Sequence, residues 1–141
     1  MSGLLLVRDA MVTNVKTARV DDSVLDAVKK MNKFRIGSIV VVSGDRPVGI
    51  ITERNILQRV VESGIDPMVI KAREIMSAPL ITIESHVPLE EAARLMVRHG
   101  VKKLPVVDDG KLVGMITTSD LVRASPIQIS IVEELLKVRA K

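Results

Sequence analysis

The chain has 141 residues, one aromatic residue and no cysteine. This length fits one ordinary domain, or two units that are each too small to bury a secure core alone, and the lack of cysteine excludes a disulfide framework, thiol catalysis and thiolate metal sites. The net charge of +4, from 21 basic and 17 acidic residues, is compatible with an anionic partner and equally with an ordinary solvated surface.

Neither a membrane span nor a signal peptide is predicted. No apolar stretch of the sequence approaches the roughly 20 residues that cross a bilayer, and the apolar run at residues 3–7 is too short for the core of a signal peptide. We therefore expect a cytoplasmic protein that has no membrane partner.

The sequence repeats itself at an offset of 65 positions without a gap. Apolar and glycine positions coincide together, which chance rarely produces, and a repeat of this length marks a unit that cannot bury its apolar face alone. The first repeat occupies residues 1–66 and the second residues 67–141, with the join at residues 60–71. The matched positions include Met11 with Met76, Thr17 with Thr82, Ala27 with Ala92, Met31 with Met96, Val41 with Val106, Gly49 with Gly114 and Thr52 with Thr117.

The first repeat begins with a short helical lead over residues 8–11 and a strand near residues 17–20. Apolar residues at helical spacing over residues 24–31 then indicate an amphipathic helix. The continuous β-branched run at residues 39–42 is typical of a buried strand, and a Gly-Asp turn at residues 44–45 follows it. A returning strand over residues 48–52 leads into a helix that begins near Glu53.

The second repeat has the same elements: a lead over residues 73–76, a strand over 80–83, a helix with Pro88 in its first position, strands over 104–107 and 113–117, and a helix from Thr118. Each repeat is therefore β-α-β-β-α, a three-stranded sheet with helices on one side. We predict an α+β fold in which the two repeats pack sheet to sheet about a pseudo-two-fold axis, with a cleft between them.

A further amphipathic helix is predicted near the C-terminus. Ile129, Val132, Leu135 and Leu136 recur at helical spacing. Such a helix would cap the module or meet a second subunit.

The strand-to-helix junctions hold the candidate ligand groups. Thr117 and Asp120 stand where the last strand meets its helix, and the first repeat has Thr52 and Asn55 at the same places. Helix N-termini attract phosphate, and an Asp one turn into the helix is suited to accept both hydrogens of a ribose cis-diol. The same Thr-x-x-Asp spacing also forms a helix capping box, in which the two side chains only satisfy free backbone amides. The sequence alone leaves both interpretations open.

No catalytic constellation is found. Acidic neighbours such as Asp108 and Asp109 splay apart on a strand or helix instead of converging on a substrate, and the sequence contains no phosphate loop, serine elbow or triad. His86 and His99 have no acids at metal-ligand spacing. We therefore expect a protein that is not an enzyme, with no catalytic residue and no metal site.

The order of the elements, the Arg-Asp-Ala-Met and Arg-Glu-Ile-Met leads, and Gly-x-x-Thr-x-x-Asp at residues 114–120 resemble a tandem pair of CBS domains, over about residues 7–125. Such pairs, often called Bateman modules, are similar to sensors of adenosine nucleotides or S-adenosylmethionine, and some of them are free-standing. The resemblance implies a free-standing regulatory module that needs no cofactor, binds AMP, ADP or ATP in the cleft, forms a homodimer and passes its signal to an unidentified regulated protein.

In this family one site joins the junction of one repeat to the first-strand threonine and the second-strand entry of the other. The resemblance thus implies a first site of Thr17, Ala18, Ile36, Ser38, Thr117, Ser119 and Asp120. It implies a second site of Thr52, Arg54, Asn55, Thr82, Ile83, Val101, Lys102 and Lys103.

The second site departs from the family at Asn55, which replaces the ribose-binding acid. A charged acceptor contributes more than a neutral amide, so the second site is expected to be weaker, altered or empty. Lys102 and Lys103 would instead strengthen the second site if they hold phosphates. The alternative interpretation of both lysines is a solvated strand edge.

Other functions remain open. S-adenosylmethionine is the alternative ligand, although the lysines and arginines favour a polyphosphate. A nucleic-acid-binding protein fits the basic composition, but the sequence lacks an aromatic stacking platform and a basic cluster on a recognition helix. Arg35 and His99, near corresponding helix ends, could reach a phosphate across the cleft, but the favoured interpretation is that they are cations attracted by the helix dipole. A structural interaction scaffold or an unrecognised enzyme is the remaining possibility.

Overall fold

The computed structural model describes residues 4–124 of the chain. Within these residues helices and strands alternate, and two three-stranded sheets form, which confirms the predicted α+β class. The helix expected at residues 129–136 lies outside the described residues. Over the same range, no helix combines the length and the apolar character needed to cross a membrane.

The elements follow the predicted order in both repeats. The first repeat contributes α1 (Val7–Ala10), β1 (Thr17–Arg19), α2 (Val24–Phe34), β2 (Ser38–Ser43), β3 (Arg46–Thr52) and α3 (Glu53–Ile56), which continues as a π-helical turn (Leu57–Val61). The second contributes α4 (Ala72–Ile75), β4 (Ile83–Glu84), α5 (Leu89–His99), β5 (Lys103–Asp108), β6 (Lys111–Thr117) and α6 (Thr118–Ala124).

The chain forms two compact units, and the helical leads are exchanged between the repeats. The first unit combines residues 16–80 with residues 110–112, and the second combines residues 4–15, 81–109 and 113–124 of the described range. Lead α4 thus packs with the body of the first repeat, and lead α1 with the body of the second. The domain boundary predicted between residues 66 and 67 follows the sequence repeat, and it stays a prediction.

A carboxylate in the third position of each lead helix holds the start of that helix. The Leu6 N–H donates to Asp9 Oδ2 at 2.8 Å, and the Lys71 N–H donates to Glu74 Oε2 at 2.9 Å. These bonds satisfy backbone amides that a one-turn helix leaves free. They explain why an acid recurs at this place in both lead sequences.

Each unit has its own sheet and its own aliphatic core. In the first unit β1 runs parallel to β2, and β2 antiparallel to β3; in the second the strand order is β4-β5-β6, with β4 parallel to β5. The first core contains Ala18, Val24, Ala27, Met31, Ile39, Val41, Ile51, Val60, Ala72 and Ile75. The second contains Val7, Ile83, Leu89, Ala92, Met96, Leu104, Val106, Ile116 and Leu121.

Several element boundaries differ from the prediction by one to three residues, and two of them lie in the second repeat before and at α5. The strand predicted over residues 80–83 is confined to Ile83–Glu84, where Ile83 pairs with Val106. The chain passes from the first unit to the second between residues 80 and 81. Residue 80 therefore belongs to the first unit, and pairing with β5 begins only at Ile83. Pro88 is the residue before α5 instead of its first residue, a difference within the usual uncertainty of helix ends.

Candidate functional site at two strand-to-helix junctions

In the first unit several candidate residues share one edge of the sheet, here called the strand-end edge. β1 and β2 both start at this edge because they are parallel, and β3 ends there because it is antiparallel to β2. Ser38 stands opposite Thr52, and Thr17 stands opposite Val40, two residues further along β2. The fold therefore brings Thr17, Ser38 and Thr52 to one end of one sheet.

The first junction is a complete capping box. Thr52 ends β3, and its Oγ1 accepts the Asn55 N–H at 3.1 Å, while the Thr52 N–H donates to Asn55 Oδ1 at 3.0 Å. The outer end of the Asn55 amide is also occupied, since its Nδ2 donates to Ser77 Oγ at 3.2 Å. Asn55 is 6% exposed, so its polar atoms are used within the first unit.

The second junction repeats the box with a carboxylate. The Thr117 N–H donates to Asp120 Oδ2 at 2.8 Å, and the Thr117 hydroxyl donates to the same oxygen at 2.9 Å. The Asp120 N–H donates to Thr117 Oγ1 at 3.3 Å. The other carboxylate oxygen, Oδ1, contacts the Arg123 guanidinium. The Asp120 side chain is 2% exposed and that of Arg123 69% exposed.

The capping interpretation of both junctions is thereby confirmed. It does not exclude ligand binding, because the cap occupies only Oδ2 of Asp120. The remaining oxygen is bound by a side chain that lies mostly in solvent. The two junctions therefore differ in the partner of the side-chain atom that the cap does not use: Ser77 binds that atom of Asn55, and Arg123 binds that atom of Asp120.

One further backbone bond fixes each junction against the entry of the middle strand. The Glu53 N–H donates to the Gly37 carbonyl at 3.2 Å, and the Thr118 N–H donates to the Lys102 carbonyl at 3.1 Å. Gly37 and Lys102 precede β2 and β5 at equivalent places in the repeats. The second-strand entry and the junction thus form one connected edge within each unit.

The strand glycines of the motif serve packing of the leads. A Cβ atom on Gly114 would lie 2.6 Å from Met11 Sδ and 3.0 Å from the Val12 carbonyl oxygen; one on Gly49 would lie 3.0 Å from the Ser77 carbonyl oxygen. The leads cross these strands through isolated antiparallel bridges, Val12 with Met115 and Ser77 with Ile50. A glycine is therefore required because another backbone approaches closely.

The remaining candidate residues divide into buried and exposed groups. Ala18 and Ile83 are 2% and 6% exposed and belong to the two cores, so any ligand contact there falls to the backbone. Ile36 and Val101 pack partly against the cores, and Thr82 and Lys103 are half-buried. The side chains in solvent are those of Arg54, Lys102 and Ser119.

Each unit holds one half of each predicted site. The first unit carries Thr17, Ala18, Ile36 and Ser38 of the first site and Thr52, Arg54 and Asn55 of the second. The second unit carries Thr82, Ile83, Val101, Lys102 and Lys103 of the second site and Thr117, Ser119 and Asp120 of the first. The grouping of these halves into two sites stays a prediction.

Two partners of the junctions were missed by the sequence analysis. Ser77 reaches Asn55 from the segment after α4, and no local spacing connects the two positions. Arg123 lies three residues after Asp120 on α6, a spacing that brings opposite charges together on a helix. This second contact was readable from the sequence.

A second acid of the second unit is held by a serine. Asp108 Oδ2 accepts the Ser85 hydroxyl at 2.5 Å, and Oδ1 accepts the Ser85 N–H at 3.1 Å. These two bonds, with weaker attraction from His86 and Arg8, hold the pKa of Asp108 below its usual value, against an opposing effect of desolvation. The Ser85 carbonyl accepts the Arg8 N–H at 2.9 Å, so this pair also positions lead α1.

Within residues 4–124 no three histidine or acidic side chains gather in a way that would hold a metal ion.

The comparisons with known proteins agree on one family. The family model described as CBS domain matches residues 7–62 and again residues 72–127. An uncharacterized protein of Methanopyrus kandleri is 40% identical over 126 residues, which is 88% of this chain and 64% of that protein. The CBS domain-containing protein YhcV of Bacillus subtilis is 33% identical over 115 residues, 82% of this chain and 81% of that protein.

A solved structure shows the same fold. It is a putative signal-transduction protein with CBS domains from Burkholderia ambifaria, with a TM-score of 0.76 and 33% sequence identity, and the match covers 85% of this chain and 93% of that chain. The present chain spans just under two thirds of the length of the Methanopyrus relative.

Proposed function

The chain belongs to the CBS domain family, whose tandem pairs are generally regulatory ligand-sensing modules, and we propose that this pair senses an adenosine nucleotide: AMP, ADP or ATP. The observation that carries the proposal is the state of Asp120. Its carboxylate is almost fully buried beside Thr117, yet its Oδ1 oxygen is bound by a side chain that is 69% exposed. A buried acid with one readily released oxygen suits a ribose diol.

Release of that oxygen exchanges one donor for another. Arg123 and a ribose hydroxyl would each donate to the same buried carboxylate, a kind of bond that contributes about 1.5–3 kcal/mol, and the displaced guanidinium belongs to a side chain that is 69% exposed and can turn into water. A ribose hydroxyl that replaces Arg123 at Oδ1 therefore leaves both the carboxylate and the arginine solvated or bonded. The cap through Oδ2 stays intact during this exchange.

We propose that the site that contains Asn55 is weaker. Its amide is neutral, and both of its ends are already bonded to Thr52 and Ser77. A ligand there would have to displace Ser77, whose backbone is bridged to Ile50, instead of an exposed arginine side chain that can turn into water. We therefore expect one strong site per chain.

Regulation is the proposed role, and a partner is part of it. A ligand that binds two conformations of the pair with different affinity shifts their populations, and a partner that contacts one conformation senses that shift. A cytoplasmic homodimer and a separate regulated protein belong to the same proposal. Exposed apolar side chains of the first unit, Leu57, Val61, Met68 and Val69 at 61–73% exposure, support a second copy, and light scattering of the purified chain tests it.

The primary experiment is calorimetric titration of the chain with AMP, ADP, ATP and S-adenosylmethionine at two salt concentrations. The proposal expects saturable binding of at least one adenosine nucleotide, at about one molecule per chain. Preference for S-adenosylmethionine over all three nucleotides would replace the proposed ligand. The absence of saturable binding for all four compounds would contradict adenosine sensing.

Asp120→Asn separates ligand binding from capping. The first junction shows that Asn completes the same box, so this variant should keep its unfolding free energy within about 0.5 kcal/mol. Loss of the charged acceptor should weaken nucleotide binding by roughly ten- to a hundredfold. Asp120→Ala, which removes the cap as well, should also lose about 1 kcal/mol of stability. Unchanged affinity in Asp120→Asn would assign Asp120 to the cap alone.

A further inference from the structure

Two lysines lie near the ring of Phe34, the one aromatic residue of the chain, and two further cations lie on the same helix and at its end. Lys16 Nζ lies 4.5 Å from the centroid of the Phe34 ring, and Lys33 Nζ lies 5.4 Å from it. Lys30 Nζ donates to the Thr17 carbonyl at 2.7 Å, and Arg35 follows Phe34 as the residue that ends α2. These five residues, Lys16, Lys30, Lys33, Phe34 and Arg35, are here called the Phe34 cluster.

No cation of the cluster forms an ion pair with a carboxylate of the described residues. Across residues 4–124, every ion pair within 4.0 Å involves other cations. The ring face and the C-terminal end of α2 attract positive charge, but like charges this close still repel one another. The cluster therefore presents an uncompensated positive surface that an anion with several charges would complement.

The cluster adjoins the strand-end edge of the first unit. Lys16 precedes Thr17 at the start of β1, and Arg35 stands three residues before Ser38 at the start of β2. The bond from Lys30 to the Thr17 carbonyl joins the cluster to a residue already predicted to contact the ligand. A ligand seated at this edge can place a charged tail against the cluster.

The helix dipole alone does not explain the cluster. The end of α5 in the second repeat also carries cations, Arg98 and His99. However, the positions that match Lys16 and Lys30 are Ile81 and Leu95 there. A lysine before the first strand and a lysine in the second half of the helix are thus particular to the first repeat.

We propose that the Phe34 cluster binds the phosphate chain of the nucleotide, so that the ligand class is a nucleoside di- or triphosphate. This inference rests on the proposed function and names its ligand more closely. Lysine ammonium groups bind phosphate as compact charges, and the Phe34 ring holds two of them in place before the ligand arrives. A monophosphate leaves part of this charge unused.

The test compares two double variants with the same change of charge. Lys16→Gln with Lys33→Gln removes both cations from the Phe34 ring. Lys71→Gln with Lys111→Gln removes two exposed lysines that instead lie near Asp21 and Asp45, beyond the opposite ends of β1 and β2. Calorimetry with ATP and AMP is run on both variants and on the unchanged chain.

The cluster variant should bind ATP at least about tenfold more weakly and AMP within about threefold of the unchanged chain. The control should bind both nucleotides within about twofold. An equal loss of ATP affinity in the two variants would assign the effect to overall charge. An equal loss for ATP and AMP in the cluster variant would also overturn the phosphate-chain assignment.

Inorganic tripolyphosphate tests the cluster without the adenosine half of the ligand. Binding by the unchanged chain and the control, with loss in the cluster variant, supports the inference even if the nucleotide titrations fail, in which case adenosine sensing alone is rejected. Failure of the unchanged chain to bind tripolyphosphate would overturn the inference. So would tighter binding of an oligothymidylate than of tripolyphosphate, which would assign the cluster to single-stranded nucleic acid.

Discussion

The two strand-to-helix junctions have the same backbone design and different outer contacts. In both, a threonine and the residue three positions later exchange hydrogen bonds at the start of a helix. The Asn55 Nδ2 atom donates to Ser77 inside the unit, whereas the Asp120 Oδ1 atom contacts an exposed arginine. A capping box therefore does not decide between a structural and a ligand-binding role. We propose that the two roles are distinguished by the partner of the side-chain atom that takes no part in the cap.

The first prediction concerns the feature that the two junctions share most closely, the glycine in the preceding strand. Gly49→Ala and Gly114→Ala should each lower the unfolding free energy by about 1–3 kcal/mol, because the new Cβ atom collides with a lead that packs across the strand. Urea unfolding of both variants measures the loss. Similar losses would show that the two leads are held alike.

Gly37→Ala is the matched control for these glycines. Its added Cβ atom would meet only the Glu53 carboxylate at 3.1 Å, and Glu53 is exposed and free to shift its end. We expect a change below about 0.5 kcal/mol. A loss as large as that of Gly114→Ala would mean that any added methyl group in these sheets is costly, and the close-approach argument would then fail.

The second prediction tests whether the junctions differ in function because of one side chain. Asn55→Asp gives the first junction the carboxylate of the second and removes the Nδ2 donor that binds Ser77. We expect nucleotide affinity at that site to rise by about tenfold. Calorimetry should then show a second binding event per chain, with stability within about 1 kcal/mol of the unchanged chain.

Asn55→Ala separates a gain of charge from a loss of the cap. It should lower the unfolding free energy by about 1 kcal/mol and create no binding event. If Asn55→Asp also creates none, the acid is not the difference that matters, and the proposed asymmetry between the sites would have to rest on other residues.

The third and smallest prediction uses acid as the probe. Asp108 has a pKa below its ordinary value of 3.8 because Ser85 donates two hydrogen bonds to it, while the matching residues of the first repeat are Ser43 and Val20. A carboxylate whose pKa is lowered by folding adds stability above its ordinary pKa and loses that stability as the pH falls through the lower, folded pKa. The second unit should therefore carry this acid-sensitive contact.

Asp108→Asn measures the contribution. The variant should be less stable than the unchanged chain at pH 6, and the difference should shrink as the pH falls below 3.8. Asp45→Asn, a change at an exposed acid of the first unit, serves as control and should show little difference at any pH. A gap between Asp108→Asn and the unchanged chain that stays constant down to pH 2.5 would contradict the assignment.

Much of the fold followed from local patterns. Apolar spacing located α2 and α5, β-branched runs located β2 and β5, and the constant offset of 65 positions established the repeat from the sequence alone. The exchange of the leads did not follow, because the two lead sequences are alike and Met11 and Met76 suit either sheet equally well. Only tertiary packing decides which strand each lead crosses.

The candidate site was predictable to the same extent. Thr117 and Asp120 were recognised, since their spacing is local and their chemistry is distinctive. Lys16 was not connected with Phe34, because the two residues lie on different elements and meet only when β1 packs beside the end of α2. Contacts between elements distant in sequence were the ones that the sequence left undetermined.

The exchange of the leads also sets the order in which this protein is completed during synthesis. Val12 finds its bridge partner only at Met115, so lead α1 leaves the ribosome without a docking strand. At about 5–20 residues per second, this delay is on the order of 5 to 20 seconds. Throughout that time Val7, which is fully buried in the finished protein, has no core to enter. The nascent chain therefore exposes the apolar residues of lead α1 until β6 is made.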